Sequence, residues 1–203
     1  MITESAWLSW LVRLIPIAWA KVRRPHIREL RAPVNLFEHA QPYASLDHLR
    51  DVFGTPYRSD KQWVTFRFRE LFLQITTKDL NTVETIDVLI RRPGLLQTFQ
   101  IYPLQYFLGK VVLSDVMTSD RKLTIEGSSK FCAVYTQQYF GFPGKYNHYT
   151  FGIYSGPGIR SVDFEITPAR DGLASDPKKA VINWIRIASS SKDLVTPDFY
   201  HFI

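Results

Sequence analysis

The sequence predicts an α+β fold: an N-terminal apolar helix, then a mostly antiparallel β domain with one or two short helices. Three observations predict it. Residues 6–22 read AWLSWLVRLIPIAWAKV, in which only Ser9, Arg13 and Lys21 are polar. Beyond residue 60, short runs alternate apolar and polar side chains with the period of two that marks a half-buried strand. Turn signals such as Ser155-Gly156-Pro157-Gly158 separate these runs. A chain of 203 residues, 45% apolar and 22% charged, is long enough to bury a core and too apolar to stay disordered.

The first element is the helix of residues 1–23. As a helix, residues 6–22 span about 26 Å, slightly short of a hydrocarbon core of about 30 Å. Arg13 near its middle costs about 2.5–3.5 kcal/mol on insertion, and Pro16 removes a backbone donor. Ala6, Ser9, Arg13, Pro16 and Ala20 fall on one narrow stripe, which suits close contact with another helix. The broad apolar remainder suits lipid or a hydrophobic groove. Trp7, Trp10 and Trp19 stand at the two ends, where interfacial anchors belong. The expected contacts are a membrane surface, then a partner protein or oligomer, then the chain's own core.

The net charge of +6 belongs mainly to this segment. Residues 1–31 carry Arg13, Lys21, Arg23, Arg24, Arg28 and Arg31 against Glu4 and Glu29, and the rest holds 19 basic against 17 acidic residues. A phosphate-tracking face needs basic residues spread over a folded surface, so nucleic acid is not the expected partner. The binding set is Trp7, Trp10, Arg13, Trp19, Lys21, Arg23 and Arg24, within a contact region of residues 6–31. No Lys or Arg precedes the apolar run, unlike a secretory signal. The basic cluster after it places the globular domain on the cytoplasmic side.

Residues 24–44, with Pro25, Pro33 and Pro42, read as a linker. Residues 45–98 read as a helix plus a three-stranded meander. Ser45 is a helix N-cap type, Leu46, Leu49, Val52 and Phe53 make an apolar stripe, and Gly54 with Pro56 ends it. Three strands follow, carried by Val64/Phe66/Phe68, Leu71/Leu73/Ile75 and Ile86/Val88/Ile90. Arg67 and Asp87 fall on the opposite face as a candidate cross-strand pair.

Residues 99–203 read as a second β-rich unit packed on the first, so that two tandem helix-plus-meander units are one form of the fold. Its segments are an extended stretch at 99–104, a short strand or helix within 108–117, and strands near 122–126, 131–139, 148–154 and 159–166. Residues 180–188 fit helix and strand equally, and a last strand covers 199–202. Cys132, the single cysteine, lies in an apolar strand-like run and is expected in the core, which leaves no intrachain disulfide.

The order short helix, Phe53-Gly54-Thr55-Pro56, then meander resembles the small α+β units of BamE/SmpA-like and β-lactamase-inhibitor-protein-like domains. Through Tyr139-Phe140-Gly141-Phe142-Pro143-Gly144 the chain also resembles bacterial proteins that join a membrane helix to a Gly/aromatic-rich domain. The likeness covers about half the chain and implies a binding or assembly role through protein–protein contact. BamE-like families are exported lipoproteins, and no lipobox cysteine stands near residue 1 here.

No signature of catalysis emerges. The glycines lack phosphate-loop spacing, no GxSxG elbow occurs, and His26, His39, His48, His148 and His201 are scattered without zinc spacing. Asp163 and Glu165 share one face of an expected strand, as carboxylates of metal-dependent nucleases do, but a solvated outer face has the same pattern. His148 beside Lys145, Tyr146 and Tyr149 has the residue types to hold a phosphate or stack on a base, as an ordinary aromatic strand end also does. The eight Phe and Tyr residues of 135–154 suit a core or a hydrophobic binding surface. The expected function is a non-enzymatic, membrane-associated or partner-docked accessory protein without cofactor or metal, a subunit of a bacterial system such as defence or immunity. The alternative is a small metal-dependent hydrolase or nuclease using Asp163 and Glu165.

Overall fold

A computed structural model describes residues 30–91, 98–117, 123–127, 131–143, 145–156, 159 and 178–190. Most of their regular structure is one eight-stranded antiparallel sheet. A mostly antiparallel, β-rich α+β architecture is therefore what the chain adopts. The expected N-terminal helix and the expected strands at 159–166 and 199–202 lie outside the described residues, Ile159 apart.

The first strands come directly from the alternation pattern. β1 (Arg58–Ser59), β2 (Trp63–Arg67), β3 (Leu71–Thr77) and β4 (Val83–Ile90) pair in sequence. Val64, Phe66, Leu73, Ile75, Ile86 and Val88 line one face and enter the main core. At the β3–β4 turn the Asp79 carboxylate accepts hydrogen bonds from the Thr82 N–H at 2.6 Å and the Thr82 hydroxyl at 2.9 Å. These bonds hold its carboxyl below the usual carboxylate range.

The same core takes two helices, α1 (Leu36–His39) and α2 (Leu46–Phe53). α2 buries Leu46, Leu49 and Phe53, and Phe53 meets Phe66 edge-on at 5.5 Å. Val52, expected on that stripe, is 37% exposed. Gly54 ends the helix at φ 81°, a conformation that favours glycine. Ser45 occupies the N-cap, yet its hydroxyl donates to Asn81 Oδ1 instead of capping, and that oxygen also accepts from the Asp47 N–H. The cap is thus supplied by a side chain from the β3–β4 turn.

Residues 30–44, read from sequence as linker, pack closely. Ala32, Leu36, Phe37 and Ala40 are all buried. Four helical residues are too few for apolar periodicity to register, which explains the different reading.

The remaining strands are β5 (Phe99–Ile101) and β6 (Tyr106–Leu108), a separate hairpin, then β7 (Thr124–Gly127), β8 (Cys132–Phe142), β9 (Lys145–Ser155) and β10 (Trp184–Ala188). A helical turn, α3 (Leu113–Val116), follows β6, and Asp115 Oδ2 accepts from the Val112 N–H at its start. β10 lies between β4 and β9, antiparallel to both. This resolves residues 184–188 as strand and joins the strands of 45–98 and 99–203 in a single sheet, with order β1-β2-β3-β4-β10-β9-β8-β7. Every residue of β10 is buried, so neither face carries the polar alternation that identifies a half-buried strand.

The second face carries a smaller cluster of Phe72, Leu89, Ala133, Tyr135, Tyr154 and Trp184. Cys132 is half-buried at the start of β8, and burial raises its thiol pKa, which disfavours a reactive thiolate.

Candidate functional site

Strand register first assembles a polar row across the second face. Thr65, Gln74, Asp87, Arg186, Thr150 and Gln137 stand opposite one another in turn from β2 to β8. At its centre Arg186 Nε donates to Asp87 Oδ1 at 2.8 Å and Nη2 to Oδ2 at 2.9 Å. Trp184 Nε1 donates to the same Oδ1 at 3.1 Å. Asp87 therefore pairs with Arg186, not with Arg67 as expected. The register explains why: Arg67 stands opposite Phe72, one row along from Asp87. The Arg67 guanidinium lies 5.3 Å from the Tyr57 ring centre and 6.0 Å from that of Phe72, within cation–π reach.

Beside this row Tyr135 is buried, and its hydroxyl donates to Glu126 Oε1 at 2.6 Å. Burial, then the hydrogen bond and negative charge of Glu126, push its phenol pKa well above the tyrosine range, with the Arg186 charge opposing. A raised folded-state value means that the stabilisation is present below the unfolded pKa and is lost as pH rises through the folded one. A Tyr135→Phe variant is therefore expected to lose less stability than the parent on moving into the alkaline range. Urea titrations at neutral and alkaline pH check this, and equal alkaline losses would contradict it.

Two features of the described surface have the makings of a contact site. The first is an aromatic stack on β8–β9. Tyr139 and His148 face each other across the strands with ring centres 4.5 Å apart, and Tyr146 stacks on Tyr139 at 5.5 Å. Tyr146 stands opposite Gly141, so no facing side chain competes for the space its ring takes beside Tyr139. Tyr139 is 58% and Tyr146 43% exposed. Strand alternation separates the group expected around His148: Tyr149 lies on the other face, buried and stacked on Phe140 at 4.1 Å. Burial raises its phenol pKa, with a hydrogen bond to Asn147 opposing.

The second is a cleft of about 220 Å³ between α1 and the β5–β6 hairpin, lined by Val34, Asn35, Glu38, Gln100, Tyr102 and Phe107, with Thr98. Leu36 and Phe37 turn into the core, leaving Asn35 and Glu38 exposed. Gln100 and Phe107 pair across the hairpin on its exposed side, while Phe99, Ile101 and Leu108 are buried. A smaller niche of about 30 Å³ shares Tyr102 and is lined by Asn147, Gly141 and Tyr149 among others. Asn147 is 7% exposed, and its Oδ1 has no hydrogen-bond partner among the described residues.

Trp7, Trp10, Arg13, Trp19, Lys21, Arg23 and Arg24, and the carboxylates Asp163 and Glu165, lie outside the described residues. Among the described residues no three His, Cys, Asp or Glu side chains converge as metal ligands, and no helix is long and apolar enough to cross a membrane. His39 Nδ1 and His48 Nε2 approach to 3.2 Å with ring centres 5.4 Å apart. That nearly end-on approach is a hydrogen bond between α1 and α2. The cleft was missed in the sequence because its residues come from a stretch read as linker and a hairpin about 65 positions later. No family model matches the chain, and neither a curated protein nor a solved structure matches it.

Proposed function

We propose that the chain is a non-enzymatic accessory protein that works by docking, at a membrane surface or on another protein, through residues 6–31. The observation that carries the reading is the sequence of that region: three tryptophans around an apolar run, closed by a basic cluster. Interfacial tryptophans supply amphipathic anchoring, and basic residues beside them attract anionic lipid or an acidic partner. The exposed Tyr139 and Tyr146, stacked with half-buried His148, support a contact role for the β domain as well, since exposed aromatic clusters suit binding surfaces. The globular domain then stands on the cytoplasmic side, as one subunit of a larger bacterial system such as defence or immunity. The BamE/SmpA-like resemblance points the same way and rests on the sequence alone.

Deleting residues 1–22 is expected to move the protein from the membrane fraction to the soluble fraction with the β domain intact by circular dichroism. If docking is to protein instead, the parent forms a detergent-free complex that the deletion abolishes. Unchanged partitioning together with unchanged complex formation would overturn the reading.

A further inference from the structure

The geometry points to the cleft between α1 and the β5–β6 hairpin as an acceptor for a cationic side chain, arginine or lysine, of a partner polypeptide. This deepens the docking reading and rests on it. Charge is the first argument. Glu38 is the one charged side chain among the described residues lining the cleft. Among the described residues its carboxylate accepts one hydrogen bond, from Asn35 Nδ2 at 3.3 Å, and that amide group also lies 3.1 Å from His39 Nε2. Most of the carboxylate's accepting capacity is therefore available to N–H donors.

The walls suit a cation equally. Tyr102 is 51% and Phe107 41% exposed, and both residues line the cleft; aromatic faces attract guanidinium and ammonium groups. Gln100 and Asn35 add amide oxygens, whereas no Lys or Arg is among the described lining residues. The volume is below the roughly 300 Å³ at which small-molecule pockets begin, which favours a single long side chain.

An acetylated, amidated tri-arginine peptide, titrated by calorimetry into the full chain at low salt, is expected to bind saturably with one-to-one stoichiometry. Glu38→Gln is expected to weaken it about tenfold, the loss of one charge-assisted contact, and Phe107→Ala to weaken it as well. Both side chains are exposed, and circular dichroism verifies the fold of each variant. No saturable binding, or binding that both variants retain, would overturn the inference. Fractionation of the same Glu38→Gln protein separates the two claims: normal partitioning with no peptide binding at the parent cleft leaves the docking reading standing and removes this one.

Discussion

Replacing Arg186 with methionine is expected to destabilise the folded chain by about 3–5 kcal/mol, because it strands the buried Asp87 carboxylate. The Arg186 and Asp87 side chains are only 9% and 2% exposed. Both carboxylate oxygens receive a guanidinium bond, and only one has Trp184 Nε1 as a further donor. After the substitution both oxygens lose their guanidinium donors, Oδ1 keeps Trp184 Nε1 while Oδ2 keeps none of these three donors, and the charge has lost its counterion. The measurement is the urea midpoint at unchanged denaturant slope. A double variant, Asp87→Leu with Arg186→Met, should recover most of the loss, since an apolar pair leaves no buried charge behind. A single-variant loss below about 1 kcal/mol would place the pair among weak surface-type bridges and contradict this account.

Gly152→Ala is expected to destabilise by about 1–3 kcal/mol through overpacking. Gly152 stands opposite Trp184 on one side and Tyr135 on the other. A Cβ there would sit 2.7 Å from Trp184 Cε3 and 2.9 Å from Tyr135 Cβ. Trp184 is 1% exposed and its ring meets Tyr135 edge-on at 5.7 Å, so it has little room to give. Combining Gly152→Ala with Trp184→Leu tests the cause. If ring crowding is responsible, alanine at 152 costs less beside leucine than beside tryptophan. Equal penalties in both backgrounds would point to the 2.9 Å approach to Tyr135 Cβ instead.

How much of this was legible in the sequence depended on how each element is solvated. The β2–β4 meander was legible because its strands keep one face more polar: Thr65, Gln74 and Asp87 alternate with Phe66, Leu73 and Val88. β10 was not, because Arg186 looks like a solvent-facing residue until Asp87, 99 positions earlier, is known to neutralise it. No local pattern reports a bond of that span. The α2 helix was legible from Leu46, Leu49, Phe53 and Gly54, and Ser45 is its N-cap residue, but the side-chain bond to the first turn comes from Asn81. The cleft was illegible for the same reason as β10: Glu38 and Phe107 gain meaning only when α1 and the β5–β6 hairpin are placed side by side.

The position of β10 has a consequence for how the protein is made. β4 and β9 both precede it in the chain, and both wait for it to complete their hydrogen bonding. During synthesis two long apolar strand edges therefore exist before the segment that covers them emerges from the ribosome. Unpaired edges of this kind template association between chains, and non-local pairing is slow to close. Arg186 and Asp87 match β10 to its slot beside β4 by charge and hydrogen bonding as well as by hydrophobicity. A nascent chain stalled before residue 184 should consequently depend on chaperones far more than the finished one.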